Sequence, residues 1–230
     1  MHRPALMRLA LGVGVSMVIL ALSGCGSGTA QQEAKVRPLP EPGQTLRPGE
    51  YRPEEFEPPL SFRVGKGWSA FQQEASVDFA ISTQGETRWI GVTNVEEVYK
   101  PTAKGTSTVE SNAVKAPKDL VGWFQDHPYL KTDKPESVTV GGVKGEQFDM
   151  LVEVPEGYFG ECGSDCMDIY RLGNGEPLAQ EDGDKVRIIV LEDVKGNMVS
   201  FDIGVSEASE FDEFMPEAQK VVDSVKWGGS

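Results

Sequence analysis

The closing segment of the chain constrains the fold most. Phe211, Phe214, Met215, Ala218, Val221, Val222 and Val225 recur at helical spacing. That stripe is too wide for a helix bathed in solvent, so it must lie on a sheet. Ser209 with Asp212 three residues later has the form of a capping box. Glu210, Asp212 and Glu213 crowd the positive end of the helix dipole, where acids are favoured.

The strands of that sheet are legible upstream as apolar and polar residues in alternation. Leu60, Phe62 and Val64 alternate with Ser61 and Arg63. Val77, Phe79 and Ile81 form a second such run, and Arg88 to Val95 a third. Short connections make these three an expected antiparallel meander. A polar loop covers Lys100 to Lys115. A helix of about three turns follows, with Pro117 in its first turn and Pro128 beyond its end. Leu120, Val121, Trp123 and Phe124 give it an apolar face. Val138 and Val140 lead into Gly141-Gly142, a tight turn. Phe148, Met150, Val152 and Val154 then share one strand face. Residues 155–185, rich in glycine and acids, break the rhythm, with a short strand at Tyr170 and Leu172. Val186 to Leu191 and Val199, Phe201, Ile203 and Val205 flank the turn Lys195-Gly196-Asn197 as a hairpin.

The expected class is therefore α+β: an antiparallel β-sheet with two helices packed on it. A lipocalin-like closed barrel is the alternative, and the mid-chain helix argues against it.

The N-terminus reads as an address. Arg3 and Arg8 precede an uncharged run from Leu9 to Leu22, and small residues lead to Cys25 in Leu22-Ser23-Gly24-Cys25. This is a secretory layout, and it is shorter than the roughly 20 apolar residues a spanning helix needs. The four residues resemble a bacterial lipobox, which implies lipidation at Cys25 and removal of residues 1–24. Two or three acyl chains, each adding about 0.8 kcal/mol per buried methylene, hold a domain at a bilayer. An uncleaved anchor, or a cleaved signal with an incidental Cys25, are the rival readings. Residues 25–49 carry Pro38, Pro40, Pro42 and Pro48 and read as an extended tether. Residues 50–230 read as a single domain.

Charge excludes one class of partner. The chain has 22 Lys+Arg against 36 Asp+Glu, a net of −14. Such a surface repels nucleic acid and anionic headgroups. Solubility is its plainest role, and attraction of cations or a basic partner is the other.

Chemistry is sparse. With His2 removed, His127 is the one mature histidine, which rules out a multi-histidine zinc site. At the end of a short helix its charged form is expected to be favoured. No Gly-x-Ser-x-Gly elbow and no phosphate-binding glycine loop occur. Gly141 to Gly145 lacks the spacing for the latter. Cys162 and Cys166 are expected to form a local disulfide in an oxidising compartment, worth about 2 kcal/mol for so short a loop. A redox pair or a metal site are the alternatives. Glu181, Asp182 and Asp184 around Gly183 lack the twelve-residue calcium pattern and read as a solvated turn. Trp68, Trp89, Trp123 and Trp227 read as packing residues rather than a sugar platform.

The domain resembles the Mog1/PsbP-like fold, which includes a group of mycobacterial and other actinobacterial surface lipoproteins. The matching stretches are Leu60-Ser61-Phe62-Arg63-Val64 with Gly67-Trp68, Val138-Thr139-Val140-Gly141-Gly142 with Gly145, and Asp223-Ser224-Val225-Lys226-Trp227. Members mostly bind other proteins, so the resemblance implies a binding role and assigns no site residue. The expected function is a non-enzymatic protein-binding or scaffold module. It sits lipid-anchored on the extracytoplasmic face of the cell membrane, without cofactor or metal. Its partner would be another envelope protein, met through loop 100–115 or loop 155–185. A small-ligand or cation-binding lipoprotein is the second expectation, and a hydrolase of unrecognised type the third.

Overall fold

The computed structural model describes residues 36–74, 78–83, 85, 87–101, 112–160 and 163–228. Residues 1–24, expected to be a secretory segment, and Cys25, Val77, Cys162 and most of the polar loop lie outside them.

The first half of the chain forms β1 (Arg37–Pro38), β2 (Gly49–Arg52), β3 (Leu60–Val64), β4 (Ser69–Glu74), β5 (Asp78–Thr83), β6 (Arg88–Asn94), β7 (Glu97–Tyr99), β8 (Ala113–Lys115) and helix α1 (Leu120–Gln125). There follow β9 (Leu130–Thr132), β10 (Glu136–Val140), β11 (Val143–Val152), β12 (Phe159–Gly160), β13 (Gly163–Ser164), β14 (Cys166–Arg171) and β15 (Pro177–Glu181). The chain closes with β16 (Lys185–Val194), β17 (Asn197–Val205), helix α2 (Phe211–Val222) and β18 (Lys226–Trp227).

The α+β expectation holds at the level of class, but the strands form more than one sheet. The main sheet runs β10-β11-β16-β17-β6-β5-β4, with β9 beside β11, and every pair is antiparallel. It is open, not a closed barrel. A small sheet, β1-β2-β3-β18, lies apart from it, and so does a covering sheet, β15-β14-β7-β8. A hairpin of β12 and β13 completes the set.

One face of the main sheet is apolar. Phe79, Ile81, Ile90, Val92, Phe201 and Ile203 share a core with Phe214, Ala218, Val221 and Val222 of α2. Each of these side chains larger than alanine contributes roughly 1.5–3 kcal/mol on burial, and Phe148, Met150, Val186, Ile188 and Val190 form a second core with Leu120 and Phe124 of α1. The α2 stripe lies on a sheet as its spacing requires.

Several boundaries move. Residues 36–49 are part of the folded unit rather than tether. Leu39 and Leu46 are buried, β1 pairs in parallel with β2, and Thr45 bridges Ser69. The proline spacing masked two core leucines. Leu60–Val64 is not in the meander: β3 pairs with β2 and β18, because Gly67 at φ +92° sends the chain on to a different sheet. Its place beside β5 is taken by β4, whose Ser-Ala-Phe-Gln-Gln-Glu has no alternating apolar signal.

Helix α1 has six residues, fewer than expected. Asp119 is its N-cap and accepts from the Gly122 N–H at 2.7 Å, which leaves Pro117 outside. No capping box forms at α2. A 3-10 turn, Ala208–Glu210, feeds the helix directly, and neither Glu207 nor Glu210 caps it through its side chain. Asp212 and Glu213 do occupy its first turn. Among the described residues no helix is long and apolar enough to cross a membrane.

Candidate functional site

The second face of the main sheet carries the unusual chemistry. On β17, Ser200, Asp202 and Gly204 point opposite to Phe201 and Ile203, since strand side chains alternate. Register places three rows across this face. Ser82, Trp89, Gly204 and Val186 form one row. Ala80, Gly91, Asp202 and Ile188 form the next, and Asp78, Thr93, Ser200 and Val190 the third. An uncovered face of this composition would be solvated, yet Asp78, Thr93, Ser200 and Asp202 are all buried.

The cover is the segment 155–185 that the sequence presented as a loop. Strand β14 is buried along almost its whole length. Tyr170 Oη donates to Ser200 Oγ at 3.0 Å, and Ser200 Oγ donates to Asp202 Oδ1 at 3.0 Å. Gln180 of β15 and Asp184 just beyond it are also buried. Asp184 Oδ2 accepts from the Glu181 N–H at 2.7 Å, and Asp182 Oδ1 from the Val154 N–H at 2.8 Å. The turn expected at Glu181 to Asp184 is therefore present, but Asp184 is not solvated.

Between the two layers lies a cavity of about 230 Å³. Small residues create it: Ala80 and Gly91 leave space beside Asp202. Trp89 forms part of its wall. A Cβ on Gly204 would collide with the Trp89 indole, so that glycine is what allows the ring to lie across β17. Phe71, 37% exposed, also lines the cavity. The charged lining groups are Asp78, Glu181, Asp184 and Asp202, all acids.

Two acceptors in this wall have no hydrogen-bond partner among the described residues: Asp202 Oδ2 and Gln180 Oε1. They belong to side chains only 2% and 4% exposed. A buried polar group left unsatisfied costs about 1–3 kcal/mol, so the fold carries a strain that a donor would relieve. Burial pushes the Asp202 carboxyl up to about 7, against the hydrogen bond from Ser200, which lowers it. Burial also raises Asp184 to about 6, and the Glu181 and Asp182 charges add to that. Perturbed acids converging on a cavity mark a candidate functional site. The alternation of Val199, Phe201, Ile203 and Val205 hid this site, since it implies an exposed opposite face. The small residues Ala80, Gly91 and Gly204 were the available signal.

The remaining sequence candidates fall elsewhere. His127 is 5% exposed, and desolvation lowers it to about 4. The charged form expected at a helix end does not survive this burial. Its Nδ1 accepts from the Tyr129 N–H at 3.3 Å, and its ring packs against Trp123. Cys166 is buried at the start of β14. Trp68 is fully buried against Phe214, while Trp227 Nε1 donates to the Val140 carbonyl at 3.0 Å. Among the described residues no three His, Cys, Asp or Glu side chains gather closely enough to hold a metal ion. A larger groove of about 620 Å³ mixes Glu96, Glu97 and Glu192 with Lys115 and Lys118 and so has no single sign of charge.

No family model matches the chain, and no curated protein does. Among solved structures, it is similar to cyanobacterial PsbP (CyanoP) from Synechocystis sp. PCC 6803. Identity is 12%, with 83% of this chain and 99% of that one covered, at a TM-score of 0.40. It is also similar to LpqN, involved in cell envelope biogenesis of Mycobacterium tuberculosis. Identity there is 9%, with 80% and 93% covered, at a TM-score of 0.36. No residue role is taken from either.

Proposed function

We propose that this chain is a lipid-anchored, extracytoplasmic binding protein of the cell envelope that holds a small cation in the cavity beside Asp202. The observation that carries the ligand is the unpartnered Asp202 Oδ2 in an all-acid wall. The anchor rests on Leu22-Ser23-Gly24-Cys25, with lipid at Cys25 and a short spacer before residue 36. The proposed role is non-enzymatic, a reading supported at this site by Ser200, the hydroxyl beside Asp202, which is fully buried and spends its proton on that carboxylate. This reverses the order of the sequence expectations, in which a protein partner came first.

Two measurements test the proposal. Growth with a lipid precursor should label the wild type and not Cys25→Ser. Calorimetry on the purified chain should show benzylammonium or benzyltrimethylammonium binding and benzoate inert. An unlabelled wild type sinks the anchor. Failure of both cations, or binding of benzoate, sinks the cavity.

One observation favours a protein partner as a second reading. Phe159, at the β12 hairpin, is 52% exposed. Crosslinking in native membranes that is lost in Phe159→Ser would support it, and an unchanged pattern would end it.

A further inference from the structure

We infer that the cavity between the main sheet and the β14–β15 layer selects small organic cations bearing N–H donors, an alkyl- or arylammonium, over quaternary ammonium and divalent metal ions. This rests on the cation-binding reading above and narrows it to one chemical class.

The unpartnered atoms set the requirement. Asp202 Oδ2 and Gln180 Oε1 are both acceptors, on side chains 2% and 4% exposed. An –NH₃⁺ group brings three donors on one atom, the kind of partner that each of these acceptors lacks. A quaternary ammonium has the same charge and no N–H, so it would leave both oxygens unsatisfied while displacing water. An anion is excluded by a wall whose charged members are all acids.

A divalent ion is disfavoured by ligand supply. Calcium takes about six to eight oxygens. Asp202 Oδ1 is already committed to Ser200 Oγ and Asp184 Oδ2 to the Glu181 N–H. Among the described residues no third acid joins any such pair at metal-binding range.

The rest of the lining specifies an organic body. Trp89 and Phe71 offer aromatic faces, which attract a cation and bury its carbon skeleton. Leu178 and Ala80 add apolar surface. A volume of about 230 Å³ is below the roughly 300–1,000 Å³ of pockets for drug-sized molecules, so the body is a single ring or a short alkyl chain.

Gly91 supplies a clean test. A Cβ built there meets Asp202 Oδ2 at 4.0 Å and the Asp202 carbonyl oxygen at 3.8 Å, which is ordinary contact. Gly91→Ala should therefore fold normally while placing a methyl group beside the unpartnered oxygen. Isothermal titration of the purified chain at about pH 8, where a lysine-like ammonium stays charged, would compare benzylammonium, benzyltrimethylammonium and calcium chloride. Benzylammonium should bind at least tenfold more tightly than benzyltrimethylammonium, and calcium should give no saturable heat. Gly91→Ala and the isosteric Asp202→Asn should each weaken benzylammonium at least tenfold. Equal binding of the two organic cations overturns this inference and leaves the cavity reading intact. Tighter binding of calcium, or full affinity in both variants, overturns it as well. If neither organic cation binds, the parent reading falls with it.

Discussion

Tyr170 and Ser200 meet at 3.0 Å across two different sheets, phenol donating to hydroxyl. Both side chains are essentially sealed from solvent. Burial and the Asp202 charge push the Tyr170 phenol above its ordinary value, so it keeps the proton it donates. The bond pins the covering sheet to the polar face of the main sheet and fixes the hydroxyl that feeds Asp202.

Tyr170→Phe should cost about 1 kcal/mol, the net value of one hydrogen bond, by urea denaturation. The ring keeps its packing against Phe124, so a loss much above 3 kcal/mol would mean that the covering sheet had come away.

Asp202 should make the fold less stable as pH rises. Its carboxyl moves from 3.8 to about 7 on folding. Between those values the unfolded chain releases a proton that the folded chain retains, so stability falls across that window and levels above it. Ser200 and, through it, Tyr170 of β14 stand beside the group, and Gln180, Glu181 and Asp184 from the β15 end and Asp78 from β5 line the same cavity. Asp184, raised to about 6, adds a smaller effect of the same sign. Glu50 runs the other way. Burial raises it, but hydrogen bonds from Lys226 and Ser61 outweigh this and lower it, so its contribution is lost as pH falls. Denaturation of wild type and Asp202→Asn at a series of pH values should show the variant with the flatter decline from about pH 4 to 7. Parallel curves would contradict the shift.

Gly204→Ala should behave unlike Gly91→Ala. Its Cβ would drive into Trp89 Cζ2 and Cε2, and overpacking of this kind costs about 1–3 kcal/mol. Tryptophan emission should change as the indole is displaced, and benzylammonium affinity should fall with it. An unchanged emission spectrum would show that Trp89 does not lie over β17.

Cys162 and Cys166 should be joined. Intact mass of the protein purified under oxidising conditions should be two hydrogens below the reduced value, and alkylation of the native protein should leave Cys166 unmodified. Rapid labelling of both thiols would reverse this pairing.

What the sequence disclosed depended on whether one face or two were covered. The α2 stripe and β17 were plain because each presents one apolar face, and β16 because its Val186 to Leu191 run is apolar on both. The hairpin turns where expected, with Lys195 at φ +55° and Gly196 at φ +93°. The polar face of β17 was opaque. Alternation marks one side as buried and suggests that the other is exposed, so Ser200, Asp202 and Gly204 drew no attention. Only the partner layer reveals them, and that layer, β14 and β15, was itself hidden among glycines and acids. Leu39 and Leu46 were missed because isolated leucines among prolines have no period. His127 was misjudged since chain position at a helix end says nothing of depth.

The pairing of β3 with β18 has a consequence in time. Ser61 and Leu60 take Lys226 and Trp227 as neighbours, and the Gly228 N–H donates to the Pro59 carbonyl at 2.7 Å. The β4–β5–β6 meander can assemble from adjacent segments as soon as they emerge from the ribosome. Strand β3 appears before all three, and the Leu60–Ser61 part of its second edge is paired only when Lys226 and Trp227 arrive. Throughout that interval it presents an unpaired row of backbone groups, the kind of edge that invites association with other chains. The last residues of the chain thus decide how long Leu60 and Ser61 stay open to association.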